Sequence, residues 1–179
     1  MTDFERGIER LVFEHFDAHR HQRTLFDCGR PKLNEYLQKR LNQHMRKGIA
    51  VGYVLADPEG RIAGYVTHSA GRLPITVIPS GKGYPPDLPL PTTLIGRMAV
   101  DRRFQGRGLG AALLVHALRM AVQTTELVAS TVIEVDALDD AARSFYLRYG
   151  FCELPDDARH LYLPMADART LITEILDGK

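Results

Sequence analysis

The sequence predicts an α/β fold, a mixed, mostly antiparallel sheet flanked by helices, and three observations carry that reading. Apolar runs of strand length alternate with segments whose apolar residues recur every three or four positions. Pro58-Glu59-Gly60 joins two strand-like runs with the residues a hairpin turn uses. A glycine cluster, "QGRGLG" at 105–110, stands between a strand-like run and a helical one. With 179 residues, 45% of them hydrophobic and 25% charged, the chain is expected to form one domain over 1–179.

Residues 9–16 alternate loosely and suggest a first strand, followed by a polar loop. From Pro31 to Lys47, Leu33, Tyr36, Leu37, Leu41 and Met45 recur at helical spacing, with Pro31 at the start and Gly48 just past the end. That pattern predicts one continuous helix with a single buried stripe. Strands are expected at 49–57 and 61–70. Six of the ten prolines fall within 74–91, which predicts an irregular connection, either a plain connector or a flap beside a site. The second half reads as a strand at 92–100, a helix at 108–122, a strand at 130–137 and a helix at 139–150 stopped by Gly150. Two closing strands, 151–154 and 160–165, and a C-terminal helix within 166–179 complete the prediction.

The formal net charge of +1 argues against a chain that is basic throughout. The first ten residues, MTDFERGIER, carry charges where a signal peptide needs an apolar run, and a cytoplasmic location is expected. Cys28 and Cys152 lack metal-like spacing and are expected as thiols. His15 and His19 share a four-residue spacing without a third ligand, so no metal is assigned.

The chemistry concentrates at the glycine cluster. A helix N-terminus presents unpaired N–H groups and the positive end of a dipole, so a strand entering a helix through glycines makes an anion cradle. Glycines let a diphosphate approach the backbone, and Arg103 and Arg107 can add charge. The spacing matches neither the nucleotide-hydrolysing loop nor the dinucleotide-binding fingerprint.

Together with "DDAARSFYLRYGF", this segment resembles the Gcn5-related N-acetyltransferase (GNAT) superfamily. The resemblance implies a GNAT-like fold with acetyl-CoA as co-substrate. It places the pyrophosphate on Gln105, Gly106, Arg107, Gly108, Leu109 and Gly110, and pantetheine along Met98, Ala99 and Val100. It also brings Asp139, where many members have Asn, and Phe145 to the cofactor. A narrower likeness, carried by "FDCGRPKLNEYL", "IAGYVTHSAG" and "LIGRMAVDRRFQGRGLG", is to the acetyltransferase toxins of bacterial toxin-antitoxin modules. That likeness implies acetylation of the α-amino group of aminoacyl-tRNA, a block to translation, and a small ribbon-helix-helix antitoxin as partner. It leaves a homodimer open.

Acetyl transfer needs a neutral amine, donors for the developing oxyanion, and an acid for the departing thiolate. Tyr146 is the candidate acid, the alternative being a core tyrosine on an amphipathic helix. The strand 92–100 contains no carboxylate to serve as base. A lysine acceptor, pKa about 10.4, would need one, whereas an α-amine, about 7.7 to 8.0, would not. Glu134 and Asp136 share one strand face and are reserve bases, or else an exposed or ion-paired face. Arg97 is read either as a partner for that pair or as a phosphate or substrate contact. Between residues 18 and 48, eight Lys and Arg residues stand against Asp27 and Glu35 alone. Within that surface Lys39, Arg40, Arg46 and Lys47 are the candidate contacts to nucleic-acid phosphates, the alternative being a solvated helix face. An acetyltransferase for a protein or small amine, and a noncatalytic acyl-CoA-binding module, are the competing functions.

Overall fold

The computed structural model describes residues 10–75, 88–176 and 178. Seven strands, β1 (Val12–His15), β2 (Val51–Ala56), β3 (Ile62–Leu73), β4 (Leu90–Val100), β5 (Val132–Asp136), β6 (Cys152–Leu154) and β7 (Asp157–Pro164), pair in the order β1-β2-β3-β4-β5-β7-β6. The β4–β5 pairing is parallel, while β1–β2, β2–β3, β5–β7 and β6–β7 are antiparallel, as the predicted mixed class requires. The described residues separate into two compact units, one containing residues 10–68 and 97–117, the other 69–75, 88–96, 118–176 and 178.

In the first unit the hairpin between β2 and β3 turns where Pro58 and Gly60 predict. Gly60 has φ +83°, and a Cβ there would strike the Arg20 carbonyl, so only glycine fits. The helical segment after Pro31 departs from expectation. It is built as α1 (Pro31–Glu35), a π turn (Tyr36–Arg40) and α2 (Leu41–Arg46), with the Leu41 N–H bonded to the Tyr36 carbonyl five residues back. Tyr36, Leu37 and Leu41 nevertheless bury their side chains beside Phe16, Phe26, Val54 and Tyr65. Helix α3 (Leu109–Thr124) begins in the glycine cluster, and its Leu113 sits where a Cβ on Gly64 would lie.

In the second unit, β4 starts at Leu90, so the last two residues of the stretch predicted as irregular are already strand. The strand tolerates Pro91, whose free carbonyl accepts the Thr131 N–H at 2.8 Å. Residues 76–87, and with them most of the connector-or-flap reading, lie outside the described residues. Helix α4 (Asp140–Arg148) is capped by the Asp139 carboxylate, which accepts the Ala142 N–H at 2.9 Å, and Gly150 ends it at φ +82°. Helix α5 (Met165–Leu176) follows β7 directly, starting one residue earlier than expected. Leu73, Leu90, Val132, Leu154 and Tyr162 form one apolar cluster of this unit, and Leu118, Ile133, Leu161 and Leu163 are also fully buried there.

Both cysteines are free thiols. Among the described residues no helix is long and apolar enough to cross a membrane.

His68 on β3 is 9% exposed, and its Nε2 has no hydrogen-bond partner among the described residues. Burial, reinforced by nearby His116, pushes its pKa down to about 4, so the folded state holds it neutral. A histidine depressed on folding contributes stability that is complete above its unfolded pKa and is lost as pH falls toward the folded value. Chemical denaturation at pH 7 and pH 4 should therefore show a loss in the native protein exceeding that in His68→Leu by roughly 3 kcal/mol.

Candidate active site

The glycine cluster sits in the first unit. After β4 the chain makes a 3-10 turn, Arg102–Phe104, whose geometry is set by Asp101. This carboxylate is 1% exposed and accepts the Arg103 N–H at 3.0 Å. It is also gripped by the Arg103 guanidinium, Nε at 2.8 Å and Nη2 at 3.0 Å, and by the Asp27 N–H at 3.0 Å. Burial raises its pKa, but the Arg103 hydrogen bonds and the two backbone donors outweigh that and hold the group below the usual carboxylate range. Arg103, read from sequence as a charge for the cofactor, thus has its guanidinium on Asp101.

Gly106 and Gly108 follow with φ +75° and +77°, and a Cβ on either would meet nothing within 4 Å. The left-handed backbone is what demands glycine here, and the space above it is open. Arg107 is exposed, and the exposed loop passes into the first turn of α3 at Leu109 and Gly110. Such a turn offers backbone N–H groups to an anion, so the arrangement fits a diphosphate. Gln105 behaves differently from the glycines. Its side-chain amide donates to the carbonyls of Val100, at 2.9 Å, and Cys28, at 3.1 Å. Met98, Ala99 and Val100 form the last stretch of β4, with Ala99 buried and its neighbours half-buried.

Arg97 pairs with neither acidic residue considered for it. Its guanidinium carbon lies over the Tyr36 ring, 3.7 Å from the centroid, and Tyr36 Oη contacts His44 Nδ1 at 3.1 Å. Lys39, Arg40, Arg46 and Lys47 are all exposed, with Lys39 3.9 Å from Glu35.

The second unit carries the tyrosine helix. Tyr146 is 7% exposed and packs against Phe145 and Phe151, with centroids 5.4 and 5.5 Å away. Burial raises the phenol's pKa well above its usual value, so it stays protonated and able to donate. Phe145 itself is half-buried and also packs against Tyr149, while Asp139 caps the helix. Glu134 is not on an exposed face. It is 4% exposed, with one oxygen accepting from Thr92 Oγ1 and the other 2.7 Å from His160 Nε2. A Cβ on Gly71 would collide with Glu134 and Thr92. Asp136 is exposed, 4.0 Å from His160 Nδ1. Among the described residues no three His, Cys, Asp or Glu side chains form a metal-binding group.

Asp27, Asn34 and Asp101 were missed from sequence as contributors to this region. Their signal lies in Asp27-Cys28-Gly29, where an acidic residue two before a glycine suits a turn closed by its own carboxylate.

A glycine loop that follows a strand and opens a helix in one unit, and a buried, protonated tyrosine on a helix of the other, are each features of an acyl-CoA-dependent transferase. The acetyltransferase (GNAT) family model matches residues 7–151, and the chain belongs to that family. The enzyme is accordingly an N-acetyltransferase with acetyl-CoA as its donor. The chain is similar to a tRNA-acetylating toxin of Mycobacterium tuberculosis (strain ATCC 25618 / H37Rv), 40% identical over 151 residues that cover 83% of this chain and 89% of that protein. Among solved structures it resembles AtaT complexed with acetyl-methionyl-tRNAfMet, with TM-score 0.83 and 30% identity over 90% of this chain and 98% of that one. It also resembles a tyrosine-to-phenylalanine mutant of the toxin AtaT bound to the C-terminus of the antitoxin AtaR and acetyl-CoA. There the TM-score is 0.79 and the identity 27%, over 92% and 99% of the two chains.

Gly108→Glu should abolish acetyl-CoA binding measured by calorimetric titration while leaving the circular dichroism spectrum native. The new side chain adds strain at a positive φ and sets a carboxylate against the diphosphate. Unchanged affinity would remove the loop from the cofactor site.

Proposed function

We propose that the enzyme transfers acetyl from acetyl-CoA to the α-amino group of aminoacyl-tRNA, and thereby acts in the cytoplasm as a translation-blocking toxin. The observation that carries this reading is the exposed group Lys39, Arg40, Arg46 and Lys47 on an otherwise near-neutral protein. Lysine and arginine arrayed on one segment bind phosphates without reading sequence, which suits an acceptor presented by many tRNAs. The likeness to AtaT complexed with acetyl-methionyl-tRNAfMet supports it.

In the proposed reaction the cradle Gly106–Gly110 takes the diphosphate, with Arg107 at its rim, and the backbone of Met98, Ala99 and Val100 lies along pantetheine. Acetyl-CoA supplies an activated thioester. The acceptor's α-amine is substantially neutral near pH 7.5 and attacks that carbonyl without a strong base. As the tetrahedral intermediate collapses, Tyr146 gives its phenolic proton to the departing thiolate, the adduct's ammonium nitrogen releases its extra proton to solvent, and solvent reprotonates the phenolate before the next turnover. Its buried, fully protonated phenol is suited to that role. Asp139 and Phe145 support the tyrosine through the helix cap and the ring contact respectively. An antitoxin of the ribbon-helix-helix type and a second copy of the chain in a homodimer are the protein partners this reading carries.

Tyr146→Phe should retain acetyl-CoA affinity and lose turnover by about 10²-fold or more. Single-turnover transfer compared with calorimetric binding checks both halves, and parental turnover would return Tyr146 to a packing role.

Radiolabelled acetyl transfer to a mixed aminoacyl-tRNA pool, beside lysine peptides and polyamines, tests the acceptor. Label should go to tRNA, fall steeply with added salt, and drop strongly when Lys39, Arg40, Arg46 and Lys47 are all changed to Glu. Label on peptide or polyamine alone would make the protein an acetyltransferase of another acceptor.

A further inference from the structure

The segment Phe26–Asn34 has no part in the chemistry above, yet it is bonded closely to the entry of the glycine loop. The Arg102 N–H donates to the Asp27 carbonyl at 2.8 Å, and the Asp27 N–H donates to Asp101 at 3.0 Å. Gln105 Nε2 closes the clasp by bridging the carbonyls of Cys28 and Val100. Arg102 lies over Gly29, where a Cβ would come within 2.7 Å of its Nε, and reaches Asp27 Oδ2 at 3.3 Å.

The Cys28 carbonyl that receives Gln105 belongs to a peptide plane fixed from its other side. The Gly29 N–H of that plane donates to Asp27 Oδ1 at 2.8 Å, and because the plane is rigid, the carbonyl must point the opposite way. Asp27 Oδ1 is itself held by Asn34 Nδ2 at 2.7 Å. Asn34 Oδ1 in turn accepts the Cys28 N–H at 2.9 Å and the thiol at 3.0 Å. One asparagine thus orients the backbone on which Gln105 hangs. An exposed loop with two left-handed glycines has no rigidity of its own, so its position must be imposed from outside.

We propose that Gln105 and Asn34 are positioning residues for acetyl-CoA. Gln105 ties the diphosphate loop to the Phe26–Asn34 segment, Asn34 orients the peptide that receives the tie, and neither side chain needs to touch the cofactor. This rests on the reading of Gly106–Gly110 as the diphosphate cradle. The family resemblance implies a pyrophosphate contact at Gln105 through the loop's amides; the side-chain amide is turned back onto the protein.

The test compares acetyl-CoA with S-acetylpantetheine, a donor that keeps the thioester arm and lacks the diphosphate. Gln105→Met preserves side-chain length at an exposed position while removing both donated hydrogen bonds, so the variant is expected to fold. Its dissociation constant and KM for acetyl-CoA should rise about tenfold with kcat within twofold. Its kcat/KM with S-acetylpantetheine should stay within twofold of the parent. Asn34→Ala should show the same donor dependence. The double variant should lose less than the product of the single losses, because both act through one peptide. Equal losses with the two donors, a fall in kcat alone, or no change with acetyl-CoA would each overturn the assignment. Gly108→Glu run alongside separates the two levels of inference: if it keeps acetyl-CoA affinity, the cradle itself is wrong.

Discussion

Asp101 decides where strand stops and loop begins. Its own N–H still belongs to the sheet, donating to the Ala63 carbonyl at 2.9 Å, while its carboxylate is engaged by the turn that follows. A charge 1% exposed is tolerable only with strong donors around it, and here a guanidinium fork and two backbone N–H groups supply them. Everything downstream inherits that fixed point: the 3-10 turn, the clasp through Asp27, the direction of Gln105, and the two glycines that open the cradle. Loss of the carboxylate would leave Arg103 and the Asp27 N–H without their acceptor, and the loop without an origin.

The proposed chemistry divides the work unevenly between protein and substrate. A proton must leave an amine and another must reach a thiolate. The first requirement is met by the acceptor's own acidity, since an α-amine is far easier to neutralise than a lysine. The second is met by the Tyr146 phenol, which is protonated at working pH as any tyrosine is, burial raising its pKa further still. Glu134, the most buried acid of the second unit, is engaged by Thr92 and His160, which ties β4, β5 and β7 together. The acid that looked like a reserve base is thus a tie within the sheet.

Much of the fold was legible because its signals are local. The periodicity around Leu113 and Leu118, the Asp139 cap with Gly150 closing the same helix, and the hairpin at Gly60 each leave a mark within a few residues. Gly106 and Gly108 were equally readable, since left-handed backbone and open space both select the smallest residue. The clasp was not legible. Gln105 and Cys28 are 77 positions apart, and a side-chain amide meeting a distant carbonyl imposes no pattern on its neighbours. The contact of Arg97 with the Tyr36 ring was not legible for a related reason: the two residues are far apart in sequence, and an arginine in a strand suggests an acidic partner rather than a ring. Glu134 is ion-paired, one of the alternatives left open for it, but its burial was not legible because alternation along a strand gives a face and not the depth at which that face lies.

The π turn escaped notice because its residues are good helix formers and the buried stripe survives it. Its effect is angular. Relative to an unbroken α-helix, one residue is absorbed without advancing the backbone's phase, which turns the residues beyond Leu41 back by about 100°. Lys39 and Arg46, seven residues apart, would share a face on a straight helix. With the phase slipped, Arg46 swings away from Lys39, and the two cations present to different sides of the helix. A polyanion laid against the segment meets Lys39 and Arg46 from two bearings, and deletion of one residue within 36–38 would bring that pair back onto one.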